Sequence, residues 1–458
     1  MNHVASQILM RSSCFSLMIL AASLNLSNAS DSLIRSLDLN DGDSIVFLGD
    51  SITYQTHYCE YLRSFFHTRY PDKRLSFINA GIPGNRAGDA VQRFEQDVSR
   101  FNPTIVMIMF GMNDGGYQPL DNEVRLSEYK KTMLKLINQS REINASPVII
   151  SPTPFDGKTN QSRQEDPSYR FRGKPFFPDY NLVMAHYTAC CRQIAQQEQV
   201  VFVDLHSPLN NFLNQKRLSF ADYTLMPDAI HPDPAGHLLM AFEILKRLDP
   251  ERENIGRLSL DYQNGQWNAS SSDVKFQALT GSKSKVSAQV KFQSLPWNIP
   301  EKHTLSQLRW NNPSNASMMF REIDVNSELN STELQISGLE HGLYKVSLDE
   351  IHLGNFPRNA LAAGLSLQAI QESPLTKQAQ LVGSMNRRLS DEIARPLRDL
   401  LAKRFNVQRQ DAERLINFDK KNRDAINRLE GKRDELLSEI QEIAKPLWLT
   451  LVVEEIQE

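Results

Sequence analysis

Four short stretches of the chain hold the residue types that acyl transfer by a serine requires. They are Gly49-Asp50-Ser51-Ile52, Asn79 through Gly84, Gly111-Met112-Asn113-Asp114, and Asp228 through Pro232. A serine hydroxyl is a weak nucleophile; it needs a base within hydrogen-bond reach and a third group to orient that base. His231 suits the base, since an imidazole titrates at about 6.5. Asp228, in the same short loop, suits the orienter: it can hold the ring's other N–H and stabilise the imidazolium. The tetrahedral intermediate carries an oxyanion that needs fixed donors. The N–H of Ser51, the N–H of Gly84 and the side-chain amide of Asn113 are the candidates, and a glycine at 84 leaves room for a substrate carbonyl. Each stretch alone is weak, because Gly-Asp-Ser and Asp-x-x-His arise by chance and an asparagine often caps a turn. Their order and shared context carry the weight.

That context is a series of strand ends. Ile45-Val46-Phe47-Leu48 runs into Ser51, and Leu75 to Asn79 into the loop of Gly84. The most apolar run, Ile105 to Phe110, leads into Asn113. Further strands are expected at Pro147–Ser151 and at 200–204. Helices are expected between them, with Ala90, Val91, Phe94 and Val98 on one face, then from Leu126 to Ile143, then through Met184, Tyr187, Cys191 and Ile194, and last from Ala235 to Leu248. Alternating strands and helices imply a parallel sheet covered on both faces. The expected fold is α/β: a flavodoxin-like three-layer sandwich with a central parallel five-stranded sheet, followed by a small β domain and a charged helical tail. Ligands of such sheets bind outside the carboxyl ends of the strands, where all four stretches fall.

The 458 residues exceed one typical domain. A hydrophobic content of 40%, a charged content of 23% and a net charge of −3 describe an ordinary globular chain, and no basic patch points to nucleic acid. Arg11, the apolar run Cys14–Leu26 and Ser27-Asn28-Ala29 read as a secretory signal peptide cut after Ala29, the alternative being an uncleaved anchor. The mature chain is then expected outside the membrane, secreted or periplasmic. It keeps Cys59, Cys190 and Cys191, too few for a disulfide framework; one bridge from Cys59 to Cys190 or Cys191 is left open. The sequence holds none of the common metal or nucleotide motifs, so no cofactor or metal is expected. Asp38 to Asp43 has the start of a calcium loop without its later glutamate and reads better as a turn.

The expected divisions are a signal peptide at 1–29, a hydrolase domain at 30–249, a β-rich domain at 250–375 and a helical region at 376–458. Short alternating stretches such as Val286–Phe292 and Gly342–Leu348 suggest antiparallel pairing. In the helical region Ile426, Leu429, Leu436, Ile440 and Ile443 recur as in a coiled-coil seam. A long helix or hairpin packed on the preceding domains fits better, with Pro396 and Pro446 bounding its parts. Pro152 to Tyr180 is a long polar insert carrying Arg163, Tyr169, Arg170, Phe171, Arg172, Lys174, Phe176 and Phe177. It reads either as a sugar-binding loop or as solvated surface.

The four stretches resemble the SGNH superfamily of GDSL-type esterases, named for its Ser, Gly, Asn and His. Ile52 stands where the family name has Leu, and Ala229 where many members have Gly. The resemblance covers roughly residues 40–249 and implies Ser51 as nucleophile, His231 as base, Asp228 as its partner, and Ser51, Gly84 and Asn113 as oxyanion donors. Gly-x-Ser-x-Gly, the mark of the α/β-hydrolases, is absent. Phe292–Pro300 and Gly338–Val346 resemble the C-terminal region of some exported bacterial members. With the export signal and the added β domain, the function expected is a secreted esterase removing acyl groups, acetyl first among them, from carbohydrate, its substrate being a small acyl ester or an acylated polysaccharide. The alternatives are a lipase or thioesterase, and a non-catalytic glycan-binding protein on a hydrolase core.

Overall fold

A computed structural model describes residues 39–120, 124–159, 170–175, 177–248, 255–299 and 316–456. The signal-peptide segment and part of the polar insert, Arg163, Tyr169 and Phe176 among them, lie outside the described residues.

Five strands form one parallel sheet: β1 (Ser44–Gly49), β2 (Ser76–Gly81), β3 (Ile105–Met109), β4 (Ser146–Ile150) and β5 (Val201–Val203), in the order β2-β1-β3-β4-β5. This is the flavodoxin-like order, with its switch point beside β1. The strands are apolar on both faces because both faces are covered. Ile45, Phe47, Ile105, Met107, Met109, Val148 and Ile150 share one core with α2 (His57–Arg69) and α7 (Pro234–Leu248). The residues between them, Val46, Leu48, Val106, Ile108 and Ile149, share the other with α3 (Ala87–Asp97), α4 (Val124–Glu142) and α5 (Tyr180–Glu198). The period of two along each strand thus sorts side chains into two helical layers. Cys59 belongs to the first layer and Cys190 and Cys191 to the second; all three are buried and free, and the sheet stands between them. Asp41 and Gly42 form a turn, with the Asp41 carboxylate on Arg74, so the calcium-like segment is used as a turn.

The second half makes two further sheets. One joins β6 (Gly256–Gln263), β7 (Gln266–Ser272), β10 (Thr332–Ser337) and β13 (Leu365–Ser366) in the order β13-β10-β6-β7. The other joins β8 (Val274–Ser282), β9 (Lys285–Phe292), β11 (Leu343–Leu348), β12 (Ile351–Pro357) and β14 (Leu449–Glu455) in the order β8-β9-β14-β11-β12. Two details differ from the sequence reading. β6 and β10 pair in parallel within an otherwise antiparallel region. Leu449–Glu455, expected within the helical region, is a strand: β14 lies in the middle of its sheet, antiparallel to both β9 and β11.

The helical region is α8 (Pro374–Leu389), a π turn at Ser390–Ala394, α9 (Arg395–Gln408) and the 33-residue α10 (Ala412–Ala444). Val382 of α8 and Leu436 and Ile440 of α10 share one core with Leu258, Val286, Leu334 and Val346 of the two sheets. Helices and β region are therefore one hydrophobic unit. α8 also packs on α2, where Arg387 pairs with buried Glu60 at 2.7 Å and Arg63 donates to Asn386 O at 2.6 Å and Ser390 Oγ at 2.7 Å. No helix among the described residues is long and apolar enough to cross a membrane.

Leu451 is 2% exposed at the centre of β14. Leu451→Ala should lower the unfolding free energy by about 2–5 kcal/mol, the usual cost of a buried leucine. Urea unfolding measures this; a loss below about 1 kcal/mol would mean that β14 is not a core strand.

Candidate active site

Every sequence-predicted site residue lies at the carboxyl edge of the parallel sheet or in the loop before α7. Ser51 opens α1 (Ser51–Tyr54), directly after β1. Asp50 caps that turn, its Oδ1 accepting from Ile52 N at 2.9 Å. Gly84 and Asn85 follow β2, and Asn113 follows β3.

Asp228, Ser51 and His231 come together. His231 Nε2 stands 2.8 Å from Ser51 Oγ, and its Nδ1 stands 2.6 Å from Asp228 Oδ2. An ionised carboxylate only accepts, so Nδ1 of the neutral ring carries the proton and Nε2 accepts from the hydroxyl. Asp228 also folds its own loop, with Oδ1 accepting from Ile230 N at 3.1 Å and His231 N at 2.7 Å. Burial pushes its carboxyl up; hydrogen bonding and charge attraction from His231 outweigh that and hold it below the ordinary aspartate range.

The same loop is braced from a side the sequence did not advertise. Asp156, 4% exposed, accepts from Arg217 Nη2 at 2.8 and 2.7 Å and from Thr224 Oγ1 at 2.5 Å. Its backbone N–H donates to Ala229 O at 2.9 Å. Ala229 has φ +71°, a left-handed conformation that glycine adopts most readily. A glycine at 229 would hold that dihedral without strain.

Gly84 likewise has φ +77°, and a Cβ added there would meet nothing within 4 Å. The glycine thus serves the backbone as well as the open space in front of it. Asn113 is held on all sides. Its Nδ2 donates to Asn85 O at 3.0 Å and to Asp50 Oδ2 at 3.2 Å, and its Oδ1 accepts from Tyr117 Oη at 2.8 Å. To serve an oxyanion it must redirect one N–H, and the longer bond to Asp50 is the easier to give up. Tyr117 packs edge-on against Phe171, so this residue of the polar insert is buried and supports the site from behind.

Two buried carboxyls flank these groups. Burial raises Asp50 to about 6 and Asp114 to about 7. Asp114 accepts from Ala87 N at 3.0 Å and Gly111 N at 3.1 Å, which ties the Asn113 loop to the start of α3. Neither carboxyl, nor Asp156 or Tyr117, was singled out by sequence; Asp50 and Asp114 lay inside quoted motifs, which was the available signal.

The sheet domain, with its serine in the first β–α turn, is a carboxylic ester hydrolase domain of the SGNH/GDSL type. Its residues 47–239 match the GDSL-like lipase/acylhydrolase family. An acetylxylan esterase of Geobacillus stearothermophilus is 27% identical over 232 residues, covering 46% of this chain and 96% of the relative. The uncharacterized lipoprotein YqeF of Bacillus subtilis (strain 168) is 32% identical over 83 residues, 18% of this chain and 34% of the relative. In fold, the chain is similar to BT4096, a gut microbial diltiazem-metabolizing enzyme, with TM-score 0.79 and 23% identity over 93% of this chain and all of that one. The fold likeness therefore takes in the C-terminal regions as well.

Two outcomes follow from the site. Ala229→Gly should keep activity within about threefold, whereas Ala229→Val, a β-branched residue forced to positive φ, should lower kcat by at least about tenfold by shifting Asp228 and His231; equal kinetics for both would contradict a strained loop. The second outcome concerns pH. Unfolded, Asp50 titrates at about 4; folded, at about 6. Between these values the folded chain holds a proton the unfolded chain has lost, so stability falls as pH rises, and the cost is complete above pH 6. Asp50→Asn should lessen the slope by the share of Asp50, on the order of 3 kcal/mol between pH 4 and 7, and leave the share of Asp114, in urea unfolding at several pH values. An unchanged slope would argue against the buried carboxyl.

Proposed function

We propose that the chain is an exported serine esterase that removes acetyl groups from carbohydrate. Ser51 attacks the acyl carbonyl, His231 takes its proton and returns it to the leaving alcohol, and Asp228 steadies the imidazolium. Water, activated by the same imidazole, then releases acetate from the acyl-enzyme. The N–H groups of Ser51 and Gly84 and the Asn113 amide receive the oxyanion. The observation that carries this reading is the hydrogen-bonded line Asp228–His231–Ser51, at 2.6 and 2.8 Å.

The substrate class rests on the acetylxylan esterase that the chain resembles over 96% of that enzyme's length. The exported location rests on the N-terminal segment alone and forms part of the proposal.

Ser51→Ala and His231→Ala should each lower kcat on an aryl acetate by at least about 1000-fold while leaving the fold intact. Mass spectrometry of acetylated polysaccharides should show loss of acetyl groups with wild type and none with Ser51→Ala. Near-wild-type turnover in both variants would overturn the catalytic assignment. Preference for long-chain over acetyl esters would overturn the substrate.

A further inference from the structure

Arg93 and Asp97 lie one turn apart on α3, and Arg398 lies on α9, in the region the catalytic reading leaves unused. All three are buried, with 1%, 3% and 1% exposure. A buried charge needs close compensation. Arg93 finds it in four directions: Nη1 donates to Asp97 Oδ2 at 2.8 Å and to Ala80 O at 2.7 Å, Nη2 to Gly49 O at 3.0 Å, and Nε to Asn85 Oδ1 at 2.8 Å.

These acceptors are not scattered. Gly49 ends β1, just ahead of Ser51. Ala80 belongs to β2, whose following loop carries Gly84. Asn85 comes directly after Gly84, and its carbonyl oxygen accepts from Asn113. One planar guanidinium therefore contacts the strand end before Ser51 and the residue after Gly84 directly, and reaches Asn113 through Asn85. A fork of fixed N–H directions suits this task, where the point charge of a lysine does not.

Asp97 holds that fork, and Arg398 holds Asp97. Arg398 Nη2 donates at 2.9 Å to the same Oδ2 that Arg93 uses. Burial pushes the Asp97 carboxyl up, and the two arginines outweigh it and keep it below the ordinary range. α9 makes two further contacts on the same side. Arg395 Nη2 donates to Gln55 O at 3.2 Å, and Asp399 accepts from the hydroxyl of Tyr54. Tyr54 and Gln55 close the short helix that Ser51 opens.

We propose that Arg93 is the positioning residue of the oxyanion hole and that the C-terminal helical region, through Arg398, is a working part of the active site. This rests on the Ser51-centred reading above. A ground-state carbonyl tolerates loosely held donors, and the transition state does not, because only there does full charge develop on oxygen. Loosening the cluster therefore lowers kcat and leaves KM nearly unchanged.

The test is Arg398→Met, which keeps bulk and removes the charge, beside Arg398→Lys, which keeps a donor for Asp97. Turnover of 4-nitrophenyl acetate is measured at a temperature where melting curves show each variant folded. So is inhibition by a trifluoromethyl ketone, which adds to Ser51 as a tetrahedral oxyanion. For Arg398→Met the expected result is a kcat lower by about 10- to 100-fold, KM within about twofold, and ketone affinity reduced in step with kcat. Arg398→Lys should recover most of both. Should Arg398→Met not fold, Arg398→Gln, which retains an N–H for Asp97, carries the same comparison. A folded variant with wild-type kcat and ketone affinity overturns the proposal, as does a loss that merely follows the melted fraction. Ser51→Ala in parallel separates the two readings. If it stays active, the catalytic assignment fails and this inference with it. If it is inactive while the neutral Arg398 variant behaves as wild type, only this inference fails.

Discussion

The hydrogen bond between His231 Nε2 and Ser51 Oγ joins residues 180 positions apart. Nothing local can place them. The parallel sheet does so by putting the first β–α turn and the loop before the last helix at the same edge. Parallel strands need long crossovers, and each crossover here is a helix that covers one sheet face. The apolar periodicity of the first half, the two helical layers and the meeting of serine with histidine are thus one requirement. A slip of one residue in β1 would exchange Val46 and Leu48 with Ile45 and Phe47 between layers and turn Ser51 away from His231.

Packing gives rough placement, and catalytic geometry asks for more. The loops at this edge are tied down by polar groups that are themselves buried. Asp156 braces the histidine loop, Asp114 ties the Asn113 loop to α3, and Asp50 links the serine turn to Asn113. Two of these carboxyls are raised by burial, so they cost stability at neutral pH. Carboxyls that weaken the fold and gather around one serine are what a functional edge produces, since perturbed groups cluster at sites.

Much of this was legible in the sequence, for physical reasons. Ser51, Gly84 and Asn113 stand next to apolar runs whose length and flanks announce strands, Asp228 and His231 stand just before an apolar helix, and strand ends are where an α/β sheet keeps its ligands. Other features were hidden. Leu449–Glu455 alternates in the manner of a strand, with Leu449, Leu451 and Val453 buried. Its partners β9 and β11 lie far back in the chain, and the helical sequence before it masked the change of period. Arg93 sits on a helix whose apolar face was read from Ala90, Val91, Phe94 and Val98. A buried arginine and a solvated one look alike until its four acceptors are known. Arg398 was hidden more deeply still, in a charged segment that reads as surface. Phe171 shows the reverse: an aromatic in a polar insert invites a binding role, yet it is buried behind Tyr117.

The use of charge at these places has a physical logic. Apolar packing is non-directional and fixes distances between surfaces, not the direction in which a carbonyl or amide points. The proposed oxyanion donors are two backbone N–H groups and one side-chain amide: the first two follow the peptide planes around residues 49–51 and 80–85, and the Asn113 amide follows the hydrogen bonds that hold it. A guanidinium that donates at once to Gly49 O, Ala80 O and Asn85 Oδ1 couples two of those segments directly and reaches the third through Asn85. Burying it demands a carboxylate, and Asp97 supplies one; Arg398 then ties that carboxylate to α9. The helical region is in turn anchored by the core it shares with the β sheets. On this view the second half of the chain reaches the oxyanion segments through one carboxylate oxygen, shared by Arg93 and Arg398, beside the contacts of Arg395 and Asp399 with the serine helix.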